Sequence, residues 1–287
     1  MLVSQYAVQV INSKALKSNT KIGYIRAFKR LGIWDMEISS ITAALIMEKV
    51  KALRSQPTKN TTLIAVKSIF KEVNDCSLLK VKRPMFGKVY DLPSQEALEW
   101  AINRSRFRLQ YLFMMYAGLR LSEACAMTIK KLQGHEGYYW LLVDEGLDLE
   151  GKEYSDAKTV GKVMIPDWLA LEMKNAKPSD WFPKNGKPAW VSAYLRRTAV
   201  TKEWKKISNN KPITPHMLRH WFATDMIKRG VNPEVARRQM RHSSPLTTLM
   251  VYTQVKSDEI KESMPTRPKP VVEDAPLAKI IRMPNTR

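Results

Sequence analysis

Apolar residues recur at intervals of three and four along nearly the whole chain, the spacing that gathers them on one side of an α-helix. Alternation at every second residue, which marks a half-buried strand, is convincing in one stretch alone, between Tyr138 and Ile165. That contrast restricts the fold class to mainly α with a small antiparallel β-sheet. Within the stretch, Tyr138 to Val143 is expected as one strand. Glu153 to Ala157 and Lys162 to Ile165 follow, separated by a turn around Thr159–Gly161 and stopped by Pro166.

The helical part before this sheet is strongly basic. Residues 1–90 hold sixteen Lys and Arg against five Asp and Glu, a net +11. One helix is expected over 2–12. A second starts behind a Ser18-Asn19-Thr20 cap and carries Ile22, Ile25, Phe28 and Leu31; a third runs from about 41 to 53. The fourth follows a Pro57–Asn60 turn, with Leu63, Val66, Ile69, Phe70 and Val73 on its apolar side. The segment 80–93, KVKRPMFGKVYDLP, mixes basic residues with prolines and reads as a linker. Domains are therefore expected at 1–79 and 94–253, with a tail at 254–287. In the second domain, helices are expected at 95–103, 106–117, just after Gly118–Glu123, and at 167–175, 189–207, 216–229 and 233–241.

Composition narrows the function classes. The chain has 287 residues, 48 Lys and Arg against 27 Asp and Glu, and a net charge of +21, a field that recruits polyanions. Nucleic acid is the first partner to expect. The most apolar stretch, SRFRLQYLFMMYAGLRLSEACAM, is interrupted by Arg108 and Arg120 and is no membrane span, so no membrane partner is expected. The N-terminus lacks a basic segment followed by a small-residue cleavage site, which argues against a secretory signal. Cys76 and Cys125 form neither a CxxC pair nor a disulfide framework, and four histidines without a cysteine cluster leave no structural zinc site. A reducing cytoplasm, no cofactor and no metal are the expectations.

The chemistry concentrates in His216-Met217-Leu218-Arg219-His220-Trp221-Phe222, followed by Arg241-His242 and Tyr252. His216 and Arg219 are three apart, so on a helix both project to one side and can converge on one anion. Leu218 and Phe222 would anchor another side in the core, as would Trp221. His220 is expected as a packed or supporting histidine, and His135 as a surface residue in a polar turn. Earlier, Gly118-Leu119-Arg120-Leu121-Ser122-Glu123 forms a corner that opens a short helix.

Together these segments resemble, in order and in kind, the tyrosine recombinases, the family of phage integrases and Xer-type recombinases. Its pattern is an Arg in a GLRxxE corner, a hairpin Lys, HxLRH, a later His and a nucleophilic Tyr. The resemblance places Arg120 with Glu123 as a supporting residue, then Lys158, His216 with Arg219, His242 and Tyr252 on that pattern. Lys152 and Lys162 flank Lys158 and compete for its role. The resemblance covers the chain up to the tail. It implies a helical core-type DNA-binding domain and an α+β catalytic domain forming a C-shaped clamp on double-stranded DNA. Two departures stand out: Met240-Arg241-His242 replaces the family's usual Leu-Gly-His, and His242 lies ten residues before Tyr252, one more than usual.

The chemistry needs these residue types together. A phosphodiester under attack gains negative charge, which two guanidiniums, Arg120 and Arg219, can hold with forked hydrogen bonds. Tyr252, with an ordinary pKa of about 10, needs a cationic pocket or a base, for which His216 is the candidate. The family assigns protonation of the departing 5′ oxygen to the hairpin lysine, and His242 would hydrogen-bond the phosphate. Attack yields a 3′-phosphotyrosine and a free 5′ hydroxyl.

Lys21, Arg26, Lys29, Arg30, Lys59, Lys67 and Lys71 are candidate DNA contacts. The expected assembly is a homotetramer on two duplexes, monomeric or weakly associated without DNA. An accessory or directionality factor and a location in the bacterial host cytoplasm, at the nucleoid, complete the expectation. With the first helix expected to start almost at Met1, no arm-binding domain is expected ahead of it, and Leu277–Met283 is a candidate for docking on a neighbour. The readings left open are an integrase, an Xer-like dimer-resolution recombinase, a type IB topoisomerase-like enzyme and a DNA-binding regulator without activity.

Overall fold

A computed structural model describes residues 1–16, 18–71, 91–135, 137–148 and 151–242, and the chain divides into two units, Met1–Phe86 and Gly87–Arg287. The division falls inside the expected 80–93 linker, most of which lies outside the described residues, as does the tail.

The first unit is helical: α1 (Val3–Ser13), α2 (Ser18–Leu31), α3 (Ala43–Lys51) and α4 (Gln56–Ile69). Val3, Ala7 and Ile11 recur at four-residue steps and are buried with Phe28, Leu31, Ile46, Val50, Leu63, Val66 and Phe70 in one core. The ring of Phe28 meets that of Phe70 edge-on at 5.3 Å, a favoured aromatic geometry. Burying side chains of this size contributes about 1.5–3 kcal/mol each, which a small domain with little sequence-local stability requires.

Two helix starts differ from expectation. Pro57–Asn60 is the first turn of α4 rather than a turn preceding it. Ser55 is the N-cap, its hydroxyl accepting from Thr58 N at 3.3 Å, and proline suits a first helical turn, where its missing N–H has no partner to lose. Likewise α2 begins at Ser18, so the Ser18-Asn19-Thr20 segment lies inside the helix.

The second unit comprises α5 (Gln95–Asn103), α6 (Arg108–Tyr116) and α7 (Leu121–Ala126). The strands β1 (Leu132–His135), β2 (Tyr138–Leu147) and β3 (Tyr154–Ile165) follow. Next come α8 (Asp167–Asn175), α9 (Pro188–Thr198), α10 (Lys202–Ile207), α11 (Pro215–Lys228) and α12 (Pro233–Met240). Every residue from Leu109 to Met115 is buried, so α6 is the central helix, and α11 packs along it. The antiparallel sheet has the order β1-β2-β3.

Sequence and structure part company at three places here. Thr159–Gly161 is not a turn: it lies within the continuous strand β3, where Gly161 pairs with Val143. The reversal comes earlier, where the Asp148 carboxylate accepts from Lys152 N at 2.7 Å and Glu153 N at 3.3 Å, a side-chain-closed turn. An irregularity between Val143 and Glu145 bends the ladder and breaks the alternation that a regular strand would show. The short strand β1 carries Gln133, Gly134 and His135, which offer no alternating apolar face, so His135 sits on a strand rather than in a turn, although it is exposed as expected. The expected 189–207 helix is two helices, because the Thr201 hydroxyl caps α10 by accepting from Trp204 N at 3.2 Å, while Trp204 is fully buried.

Candidate active site

The site begins where α6 ends. Gly118 has φ +64°, and a Cβ there would stand 2.6 Å from Phe222 Cδ1 and 2.9 Å from Met240 Sδ, so both backbone and packing demand glycine. The turn buries Leu119 and sets Arg120 at the N-terminus of α7. Glu123, only 1% exposed, closes the corner: Oε2 accepts from Arg120 N at 2.7 Å and Oε1 from Arg120 Nη1 at 2.8 Å. Burial alone would raise the Glu123 pKa, yet Arg241 and the bonds from Arg120 hold it below the ordinary carboxylate value.

Across from this corner, Thr214 caps α11 by accepting from Met217 N at 3.3 Å, with Pro215 in the first turn. His216 thus occupies the first turn and Arg219 the next. Arg219 is buried and donates from Nη1 to Gly118 O and from Nη2 to Met240 O, locking α11 to the Gly118 corner and to the end of α12. These bonds use two of the five N–H donors of a guanidinium.

Arg120, Lys158, His216, Arg219 and His242 all line one cavity of about 600 Å³, together with Ser192 and Arg196 of α9. Sequence reasoning grouped the first five. It missed Ser192 and Arg196, which carry no motif, and it marked Arg241 only as a departure from the family's glycine, without its contact to Glu123. Lys158 on β3 lines the cavity, whereas Lys152 and Lys162 do not. Tyr252 lies outside the described residues, as does the Ser243-Ser244-Pro245 segment before it.

Burial and the neighbouring guanidiniums push the three imidazoles here below their ordinary pKa, toward the neutral form. Burial, then Arg219 and Arg120, push His242 down to about 4 and shift His216 in the same direction. His220 is pushed to about 4 by burial, then His216 and Arg219. Its Nε2 lies 3.0 Å from His216 Nε2, so the supporting histidine directly contacts the candidate base, as residues four apart on a helix can. A neutral imidazole among guanidiniums can accept a proton or a hydrogen bond, and the guanidiniums keep their charge.

The basic residues of the first unit are more varied. Arg26, Lys29 and Arg30 are exposed on α2, with Lys21 half-buried. Lys29 Nζ stands 5.6 Å from the centre of the Trp34 ring, and Arg30 Nη1 donates to Thr62 Oγ1 at 3.3 Å. Lys59 Nζ donates to Lys51 O at 2.9 Å, which ties it to the end of α3. Lys67 is half-buried on α4, and Lys71 is exposed just past its end. Among the described residues no group of three His, Cys, Asp or Glu is placed to hold a metal, and no helix is long and apolar enough to cross a membrane.

Mainly helical architecture, a three-stranded sheet among the described residues and a pocket lined by Arg120, Lys158, His216, Arg219 and His242 fit the class of protein that the sequence resembles. Residues 95–259 match the model of the phage integrase family. A tyrosine recombinase of Listeria monocytogenes named XerC is 36% identical over 88% of this chain and 84% of its own length. One of Pseudothermotoga lettingae is 25% identical over 90% of this chain and 95% of its own. The integrase of transposon Tn1549, solved with circular intermediate DNA, superposes with a TM-score of 0.69 at 20% identity, covering 91% of this chain and 98% of that one. A lambda integrase dimer bound to a core site gives 0.60 at 18% identity, covering 86% and 92%. The chain belongs to the phage integrase family: it is a tyrosine recombinase, an enzyme of site-specific recombination.

Proposed function

We propose that this recombinase is a phage or mobile-element integrase that cleaves and rejoins DNA strands through a 3′-phosphotyrosine. The observation that carries the residue assignment is the single cavity lined by Arg120, Lys158, His216, Arg219 and His242. Arg120 and Arg219 grip the non-bridging oxygens of the scissile phosphate, where charge builds in the transition state. His216, pushed toward its neutral form, accepts the proton of the Tyr252 hydroxyl as its oxygen attacks phosphorus. Lys158 gives a proton to the departing 5′ oxygen, and His242 hydrogen-bonds the phosphate. The broken diester's energy stays in the tyrosyl ester, so a 5′ hydroxyl from a second duplex reseals the strand by the reverse step.

The first unit's excess of basic residues suits a core-type DNA-binding domain. The working assembly in this reading is a tetramer on two duplexes in a bacterial cytoplasm, with the tail docking on a neighbour and an accessory factor setting direction. An Xer-like role in resolving dimers is the second reading, supported by 36% identity to a recombinase named XerC.

A nicked suicide duplex tests the chemistry: a covalent protein–DNA adduct forms, and Tyr252→Phe abolishes it. Absence of an adduct on any cognate site would favour a DNA-binding regulator. Joining of two different duplexes separates recombination from relaxation by a topoisomerase-like enzyme. Activity on paired attachment sites, against resolution of a plasmid dimer, separates integrase from Xer-like resolution.

A further inference from the structure

We propose that Arg241 is a positioning residue of this active site: it shares the Glu123 carboxylate with Arg120 and so sets the direction of the Arg120 guanidinium and the net charge of the three-residue cluster. The inference rests on the assignment of Arg120 to the scissile phosphate.

Arg241 is held against three opposing tendencies. Its backbone is left-handed, with φ 50° and ψ 45°, a conformation that favours glycine. Its side chain is 3% exposed, so a full charge leaves water. Its Nη1 is buried without a hydrogen-bond partner among the described residues. A residue placed only to end α12 would be glycine at no such cost. What the arginine gains lies in the site. Nη2 donates to Glu123 Oε2, the oxygen that also accepts from Arg120 N. Nε donates to Thr159 O at 3.3 Å, one residue past Lys158 on β3. The side chain therefore fastens the start of α7 to the strand that carries the candidate acid, and its backbone leads directly into His242. Gly161 makes room for it, since a Cβ there would approach Arg241 Cδ to 3.3 Å.

Electrostatics gives the arrangement its purpose. Glu123 and Arg120 alone would form a neutral pair and spend the arginine's charge on a carboxylate. A second guanidinium on the same carboxylate leaves the trio with a net positive charge facing the phosphate. The cations facing Glu123 are Arg120, Arg241 and, from α11, Arg219.

The test compares full-length wild type with R241G, which keeps the left-handed turn, and R241K, which keeps the charge. Single-turnover adduct formation is measured on saturating suicide duplex, with DNA affinity and circular dichroism alongside. Expected is R241G with wild-type affinity and fold that cleaves on the order of 100-fold more slowly. Its rate profile should have the acid limb moved to higher pH, since Glu123 loses a facing cation. R241K should recover part of the rate. Wild-type cleavage by R241G with an unchanged pH profile overturns the positioning role alone. A rate loss that merely tracks lost DNA binding or lost folded protein overturns it as well. Absence of a wild-type adduct overturns the assignment of the pocket and this role with it.

Discussion

Gly118→Ala is the most informative single change, because one methyl group tests the fold and the pocket together. At φ +64° an alanine carries about 1 kcal/mol of left-handed strain. Its Cβ would also lie 2.6 Å from Phe222 Cδ1 and 2.9 Å from Met240 Sδ, distances that force both side chains to move. Overpacking of this kind costs about 1–3 kcal/mol, so the sum centres on about 3 kcal/mol. In a unit of this size that corresponds to a thermal midpoint lower by about 6–12 °C. The carbonyl of the same residue accepts from Arg219 Nη1, and the next residue but one is Arg120. Shifting this peptide therefore misplaces both guanidiniums, and single-turnover cleavage should fall by on the order of 100-fold even where the protein is folded. Thermal unfolding followed by circular dichroism reads the first effect and the suicide-duplex adduct at 25 °C reads the second. An unchanged midpoint would refute the packing argument. A lowered midpoint with wild-type cleavage would refute the claim that this turn positions the pocket.

Acidification should destabilise the protein between about pH 6.5 and 4 through its neutral histidines. His220 and His242 have folded pKa values near 4, below the unfolded value, so the unfolded chain binds more protons as pH falls through this window. Thermal midpoints from pH 7 to 4 read this, and the slope should flatten in His220→Gln. Lys158→Ala should cripple cleavage of an ordinary strand but not of one whose departing 5′ oxygen is replaced by sulfur, which leaves without a proton; equal loss on both would place the acid elsewhere. DNA affinity should fall steeply with salt, and the neutralising pair Arg26→Gln and Lys29→Gln on α2 should lower the slope of log K against log salt, by up to about 2 if both meet phosphates. An unchanged slope would remove these two residues from the interface. Cys125 is buried and its thiol is pushed up by that burial, so it should react with a thiol reagent only on unfolding.

Most of the site residues were legible through the family resemblance, and two of the pairs it picks out also show their relation in local spacing. His216 and Arg219 sit one turn apart on a helix begun by a Thr-Pro pair, and Glu123 reaches back three residues to Arg120. Neither relation needs the rest of the chain. The same locality explains why α5, α6, α8, α11 and α12 begin and end close to where apolar spacing and caps put them. At Thr159–Gly161 a tertiary contact outweighs the local pattern. The segment looks like a turn because a glycine ends it. It stays extended because Gly161 pairs with Val143 and leaves space for an arginine eighty residues away.

That arginine shows most sharply what spacing hides. In sequence, Arg241 is an odd residue where a glycine is usual, one basic side chain among 48 Lys and Arg. Only the fold shows it buried against Glu123, a residue 118 positions earlier. Arg196 follows the same logic, since nothing in its surroundings on α9 marks it until the helix is packed against the pocket wall. Groups that meet a substrate in the transition state are recognisable by type, because few side chains can do the chemistry. Groups that aim them can be any residue able to reach, and only the packed chain selects among them. The glycine at 161 and the arginine at 241 should consequently behave as a pair. Gly161→Val, which crowds Arg241 Cδ, should slow cleavage in the wild-type background and have little further effect in R241G. Equal slowing by Gly161→Val in both backgrounds would mean that the glycine serves β3 alone.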